Sequence, residues 1–165
     1  MPGPRDAGRN PYLHGLGGRR DQIQQTFKDN LRRIPGIENV RFEPSRTGID
    51  HQVAGDIITE IFARGAITAE SAWIQLNWWP QQSDPDWFEF HYIDATDYNC
   101  GWHRHQNTHV AGLDHFQEHF PETDETHYEP VTFEYETPVG LVWEIIDDRL
   151  TQQVIDRYQQ ADPDT

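Results

Sequence analysis

The chain contains one cysteine in 165 residues and one lysine among 13 basic residues, and each scarcity excludes something. A lone Cys100 rules out an internal disulfide framework and any zinc site built from several thiolates. No apolar run reaches the roughly 18 residues needed to cross a bilayer as a helix. The opening MPGPRDAGRNPYLHGLGGRRD has no apolar stretch of signal-peptide type. The expectation is a cytoplasmic protein without membrane attachment. GxSxG, P-loop and GxGxxG patterns are also missing, so the common signatures of serine hydrolases and nucleotide binders do not apply.

What is abundant is acid. Against Lys28 and the arginines stand 28 Asp and Glu, for a formal charge of −15. Scarce lysine with many carboxylates points to a high-salt cytoplasm. Acidic surfaces hold water there, and self-repulsion is screened over only about 3 Å at 1 M salt. An acidic protein of ordinary surroundings is the plainer alternative. Residues 1–83 carry 10 Lys and Arg against 9 Asp and Glu, whereas residues 84–165 carry 3 against 19. An anionic partner would therefore approach the N-terminal half and a basic partner the C-terminal half. Solvation in salt accounts for the acidic half equally well.

The chain is long enough for one domain with a real core. Residues 1–20, rich in glycine, proline and arginine, read as a flexible basic arm. Residues 21–160 read as a single domain, and 161–165 as a disordered tail. Ile23, Phe27, Leu31 and Ile34 form a helical stripe opened by Asp21 and stopped by Pro35-Gly36. NVRFEP is a strand candidate. DHQVAGDIITEIFAR (50–64) fits a strand through its β-branched run and a helix through Val53, Ile57, Ile58, Ile61 and Phe62; the helix is the preferred reading.

SAWIQLNWW and WFEFHYID alternate with period two, and the expectation is that they pair as an antiparallel hairpin. Of Trp78 and Trp79, one is expected in the core and the other on the sheet surface, where stacking on bases is an alternative role. PETDETHYEP reads as an acidic loop and VTFEYE as a strand. The final segment, TPVGLVWEIIDDRLTQQVIDRY, has Thr137 as cap, Pro138 at the first helical position, and a face of Leu141, Val142, Ile145, Ile146, Leu150 and Val154. The fold expectation is α+β: a mostly antiparallel sheet of about four to six strands packed against a long C-terminal helix.

Five of nine histidines lie in NCGWHRHQNTHVAGLDHFQEHF, residues 99–120. Period two places His103 and His105 on one strand face, with Trp102 and Arg104 on the other. It aligns His115, Gln117 and His119 opposite Asp114, Phe116 and Glu118. If the segments pair, four histidines share a face; a helical DHFQEH would also bring His115 and His119 together. Three readings compete: a zinc-type site, a metal-free acid/base pair of imidazoles, and ordinary packing or surface residues. Tyr92 and Asp94 would orient a histidine or simply end a strand. Cys100 has no activating partner besides His103 and is not a candidate nucleophile.

The order FHYIDATDYNCGWHRHQNTHV, DHFQEH, an acidic loop, EPVTFEYETP and a terminal helix resembles the TumE-like toxin family of type II toxin–antitoxin systems, over about residues 70–150. A related haloarchaeal family fits the same features. The positions carrying the resemblance are Tyr92 and Asp94, then Trp102, His103, His105 and Asn107, then Asp114, His115 and His119. It implies a toxin neutralised by a helix-turn-helix antitoxin and acting on RNA. The expectation is then a metal-independent ribonuclease, with His103 or His105 and His115 or His119 transferring protons. Arg104 would contact phosphate, Tyr92, Trp102 and Asn107 the substrate, and Asp94 and Asp114 would orient the histidines. No cofactor is expected in that reading. The alternatives are a non-catalytic acidic binding module and a histidine-ligated protein holding zinc or a similar divalent metal.

Overall fold

A computed structural model describes residues 11–45, 50–83 and 85–159. It is α+β, with a seven-stranded, wholly antiparallel sheet in the order β1-β2-β3-β4-β5-β6-β7. The strands are β1 (Ile37–Pro44), β2 (His51–Ile57), β3 (Ala72–Trp79), β4 (Trp87–Asp94), β5 (Asn99–Arg104), β6 (Asp114–Phe120) and β7 (Glu125–Pro130). Helix α1 (Pro11–Leu31) precedes them. The C-terminal helix follows as α2 (Pro138–Val142), a π-helical stretch (Trp143–Arg149) and α3 (Leu150–Gln159). The sheet is therefore larger than the four to six strands expected, and the helix carrying the stripe Ile23, Phe27 and Leu31 packs on it together with the C-terminal one.

Alternation assigns the two faces. In β4, Phe88, Phe90, Tyr92 and Asp94 are buried, while Trp87, Glu89, His91 and Ile93 are half-buried. The buried row joins Ile74, Leu76 and Trp78 of β3 in a core with Phe27 and Leu31 of α1 and Leu141, Ile145, Leu150 and Val154 of the C-terminal helix. Phe27 meets Trp78 and Phe90 edge-on at 5.8 and 5.2 Å. Each such side chain contributes about 1.5–3 kcal/mol by leaving water. As expected, Trp78 is core and Trp79 lies on the other face.

Three segments depart from the sequence reading. Residues 51–57 are strand, not helix, because β2 has a ladder on both sides, to β1 and to β3. Its Val53 and Ile57 enter the core, and Gly55 lets Ile37 pack close, since a Cβ there would sit 3.0 Å from the Ile37 side chain. The acidic loop contains β7, which pairs with β6 after a turn in which Asp124 takes φ +57°. VTFEYE is not a strand. Glu134 and Tyr135 donate their backbone N–H groups to Glu144 Oε1 (2.9 and 3.0 Å), and Arg149 Nε holds Oε2 (2.9 Å). A buried helix carboxylate replaces the ladder.

Helix α1 begins at Pro11, ten residues ahead of Asp21, so part of the expected arm is helical. Arg19 and Arg20 anchor it: Arg19 to Asp86 (2.6 Å), Arg20 to the Trp78 carbonyl (2.7 Å) and Asn77 Oδ1 (2.6 Å). Residues 1–10 of the arm and the tail 161–165 lie outside the described residues. Thr137 Oγ1 accepts from Gly140 N (3.1 Å) with Pro138 next to it, as the cap reading requires. No helix among the described residues is long and apolar enough to cross a membrane.

Candidate functional site

The sheet face away from the helices carries the histidines, because strand alternation leaves that row free of core duty. The β5–β6 register sets His103 opposite His115, and the β4–β5 register sets Glu89 opposite His103 and His91 opposite Gly101. His105, just past β5, lies 3.1 Å from His103 through Nε2 and Nδ1. Ligand atoms of His103, His105 and His115 all fall within 4.8 Å of one another, as do those of Glu89, His91 and His103. Ring centroids in the first triad are 5.0–5.2 Å apart.

The cluster is sheltered. His103 is 2% exposed and His115 is 0% exposed. Each ring of the triad has its second nitrogen engaged. A carbonyl oxygen only accepts, so His115 Nδ1 must carry a proton for Leu113 O (3.0 Å) and His105 Nδ1 one for Gln106 O (2.9 Å). His103 Nε2 faces His91 Nδ1 at 3.3 Å. This leaves His105 Nε2, His115 Nε2 and His103 Nδ1 turned toward the shared space. There Asn107 Nδ2 lies 3.4 Å from His115 Nε2 and Glu89 Oε1 3.1 Å from His105 Nε2.

Environment pushes two of these rings apart. The hydrogen bond to Glu89 raises the His105 pKa above its ordinary 6.5, against desolvation. Desolvation lowers that of His115, and the neighbouring His105 charge adds to it. Gly101 makes room for the whole arrangement. A Cβ at that position would lie 2.7 Å from His103 Nε2, 3.0 Å from Phe90 O and 3.1 Å from His91 Cδ2. A glycine in mid-strand weakens the strand and commonly marks a close approach; here the approach is that of two imidazoles.

The other sequence candidates go elsewhere. His119 shares the face with His115 but sits four residues along β6, about 13 Å away by strand rise. It pairs opposite Asn99 and bonds Thr126 Oγ1 (3.1 Å) and Asp124 (3.2 Å). Arg104 is on the helix-facing side, forked onto Asp114 at 2.6 and 3.0 Å, so neither residue addresses the histidines. Trp102 packs on Phe116 at 4.9 Å in the core. Tyr92 donates to Asp94 Oδ2 (2.9 Å), which also accepts from Tyr158; both lie in the core, not against a histidine. Cys100 is fully buried there too, its thiol pKa raised by desolvation. Of the residues first singled out, His103, His105, His115 and Asn107 come together.

Glu89 and His91 were missed. The signal was present, since alternation in WFEFHYID puts both opposite Phe88, Phe90 and Tyr92. Joining them to the cluster needed the β4–β5 register, which no local pattern fixes. Beside them runs a groove of about 410 Å³ whose lining includes Asp50, Gln52, Gln75, Asn77 and Trp79. No protein-family model, no curated protein and no solved structure matches the chain.

Proposed function

We propose that the protein is a metal-binding protein whose His103, His105 and His115 hold one zinc-type divalent ion beside Glu89 and His91, which border the groove, for Lewis-acid chemistry on a ligand bound next to it. One observation carries the reading: three imidazole nitrogens face a common space while the second nitrogen of each ring is engaged by Gln106 O, Leu113 O or His91. That is how ligating histidines are oriented: the outer hydrogen bond leaves the His115 lone pair facing inward, whereas His105 Nε2, which donates to Glu89 in the metal-free chain, gives up that proton when it takes the ion. Zinc–nitrogen bonds of about 2.0–2.1 Å at tetrahedral angles separate the nitrogens by about 3.3 Å. The His103–His105 separation is 3.1 Å. Three protein ligands leave the fourth position open, the pattern of a catalytic rather than a structural zinc site. Glu89 is placed to accept a proton from a group presented there.

The zinc reading, the weaker one from sequence, gains on the ribonuclease reading for an electrostatic reason. Among the described residues, the groove lining includes no lysine or arginine, and Arg104 is committed to Asp114 on the other face. A phosphate backbone gains most of its affinity from such cations. The test is elemental analysis of protein purified without an affinity tag, with about one zinc per chain expected. His103→Ala and His115→Ala should each lower zinc affinity at least about tenfold, the scale set even by losing an outer partner. A chain that takes up no stoichiometric zinc, cobalt or manganese at micromolar concentrations sinks the reading.

The second reading rests on the opposed shifts of His105 and His115, which resemble an acid and a base tuned apart. In it the chain is a metal-independent ribonuclease and the toxin of a pair with a helix-turn-helix antitoxin. RNA cleavage persisting in chelator and lost in His103→Ala/His115→Ala supports it. Expression that leaves growth unaffected counts against the toxin role.

A further inference from the structure

We infer that the groove beside the histidine centre takes a neutral, hydroxyl-rich ring, a saccharide or cyclic polyol, and rejects anionic ligands. This deepens the reading of the site as a ligand-processing metal centre and rests on it for the chemistry, though not for the binding. At about 410 Å³ the groove is within the range of small-molecule pockets, roughly 300–1,000 Å³. Its lining suits groups that both donate and accept hydrogen bonds.

Gln52 and Gln75 each donate Nε2 to Glu43 Oε1 at 3.1 Å, which fixes their amide planes. A carboxamide so held still has a second N–H and an acceptor oxygen to offer. Asn77 Oδ1 accepts from Arg20 (2.6 Å) and Trp78 N (2.9 Å), so what it presents onward is its NH₂ group. Asp50 Oδ1 is buried with no hydrogen-bond donor among the described residues, and a ligand hydroxyl would supply one. Trp79 gives the groove an apolar plate for the C–H face of a ring.

Charge decides against the other classes. Arg20 is consumed by the carbonyls of Trp78 and His51, by Asn77 and by Asp50 at 3.2 Å, and Arg41 by Glu43 and Asp56. Asp50 is thereby compensated, and Glu89 faces His105. Among the described residues lining the groove there is no lysine or arginine for a phosphate, and each carboxylate has a positive or proton-donating partner, which disfavours an organic cation. Amides facing a tryptophan remain.

The experiment is a two-dimensional nitrogen–proton NMR titration of the full chain, with and without one equivalent of zinc. The probes are cellobiose, glucose 6-phosphate, tetramethylammonium and a short uridine oligonucleotide. Cellobiose should move the Trp79 indole signal, identified through Trp79→Phe, and the side-chain amides of Gln75 and Asn77. Trp79→Ala should weaken it about tenfold, while glucose 6-phosphate should bind about tenfold more weakly than cellobiose. No shift at about 50 mM cellobiose, a regime far above millimolar Kd, overturns the proposal. So does glucose 6-phosphate, the oligonucleotide or tetramethylammonium binding as tightly. Saccharide shifts in a chain that holds no zinc would uphold the groove assignment and refute the metal centre; zinc uptake without shifts would do the reverse.

Discussion

Gly101→Ala isolates what the glycine does for the site. The added methyl would sit 2.7 Å from His103 Nε2, 3.0 Å from Phe90 O and 3.1 Å from His91 Cδ2. The first contact is closer than real Cβ atoms tolerate. Phe90 O belongs to the ladder of a neighbouring strand and cannot retreat alone, so His103 and His91 must move. Overpacking of this kind costs about 1–3 kcal/mol, or a fall in Tm of roughly 2–4 °C per kcal/mol for a chain of this size. Because His103 supplies a ligand nitrogen in the proposed centre and His91 contacts its ring, zinc affinity should fall by about 10–100-fold as well. Thermal unfolding of the metal-free variant reads the first effect, and competition with a chromophoric chelator reads the second. Gly18→Ala is the control. A Cβ there meets nothing within 4 Å, and alanine in a helix is favoured by up to about 1 kcal/mol. A Gly101→Ala protein with unchanged stability and unchanged zinc affinity would refute the claim that this glycine makes room for the two rings.

Arg104→Ala should lower stability by about 1.5–3 kcal/mol through loss of its forked bond to Asp114, yet leave zinc affinity within twofold of the parent, about the scatter of such data. A large drop in affinity would mean that Arg104 reaches the site. Glu144→Ala leaves two backbone N–H groups and Arg149 without their carboxylate, and should cost about 3–5 kcal/mol in chemical denaturation; a loss below 1 kcal/mol would show that residues 131–136 are held by something else. In metal-free protein, NMR titration should find His105 protonating at higher pH than His115, and the reverse order would contradict the Glu89 contact of His105 and the burial of His115. The signs oppose each other in stability. The raised pKa of His105 gives a contribution complete below the ordinary 6.5 and lost as pH rises through its folded value. The lowered pKa of His115 gives one present above 6.5 and lost as pH falls through its folded value.

Much of the fold was written in local pattern. Alternation in residues 72–79 and 87–94 marks β3 and β4 because one face of each is core and the other is not. The Thr137-Pro138 pair marks its helix because capping chemistry is local. What stayed hidden was decided by partners distant in sequence. The strand β7 is nearly all exposed and carries no apolar alternation, so only its ladder to β6 reveals it. Residues 131–136 do alternate, yet Glu144 captures their amides. The early start of α1, through a glycine-rich stretch, coincides with Arg19 and Arg20 gripping the sheet. The site divides in the same way. His103, His105 and His115 were legible from period two and a single pairing, whereas Glu89 and His91 required a second register. His119 shares the parity of His115 but not its height on the strand.

Because every strand pairs with its neighbour in sequence, the centre is contained in the uninterrupted stretch from Glu89 to His115. This sets how the gene can vary. Added residues in the loop between β5 and β6, beyond Asn107, would lengthen a surface connection and leave the register of both strands intact. One residue gained or lost between Cys100 and Trp102 would turn His103 into the core and Arg104 out of it, since side chains change face at each step. Lineages descended from this chain should therefore accumulate length changes on one side of His105 and almost none on the other.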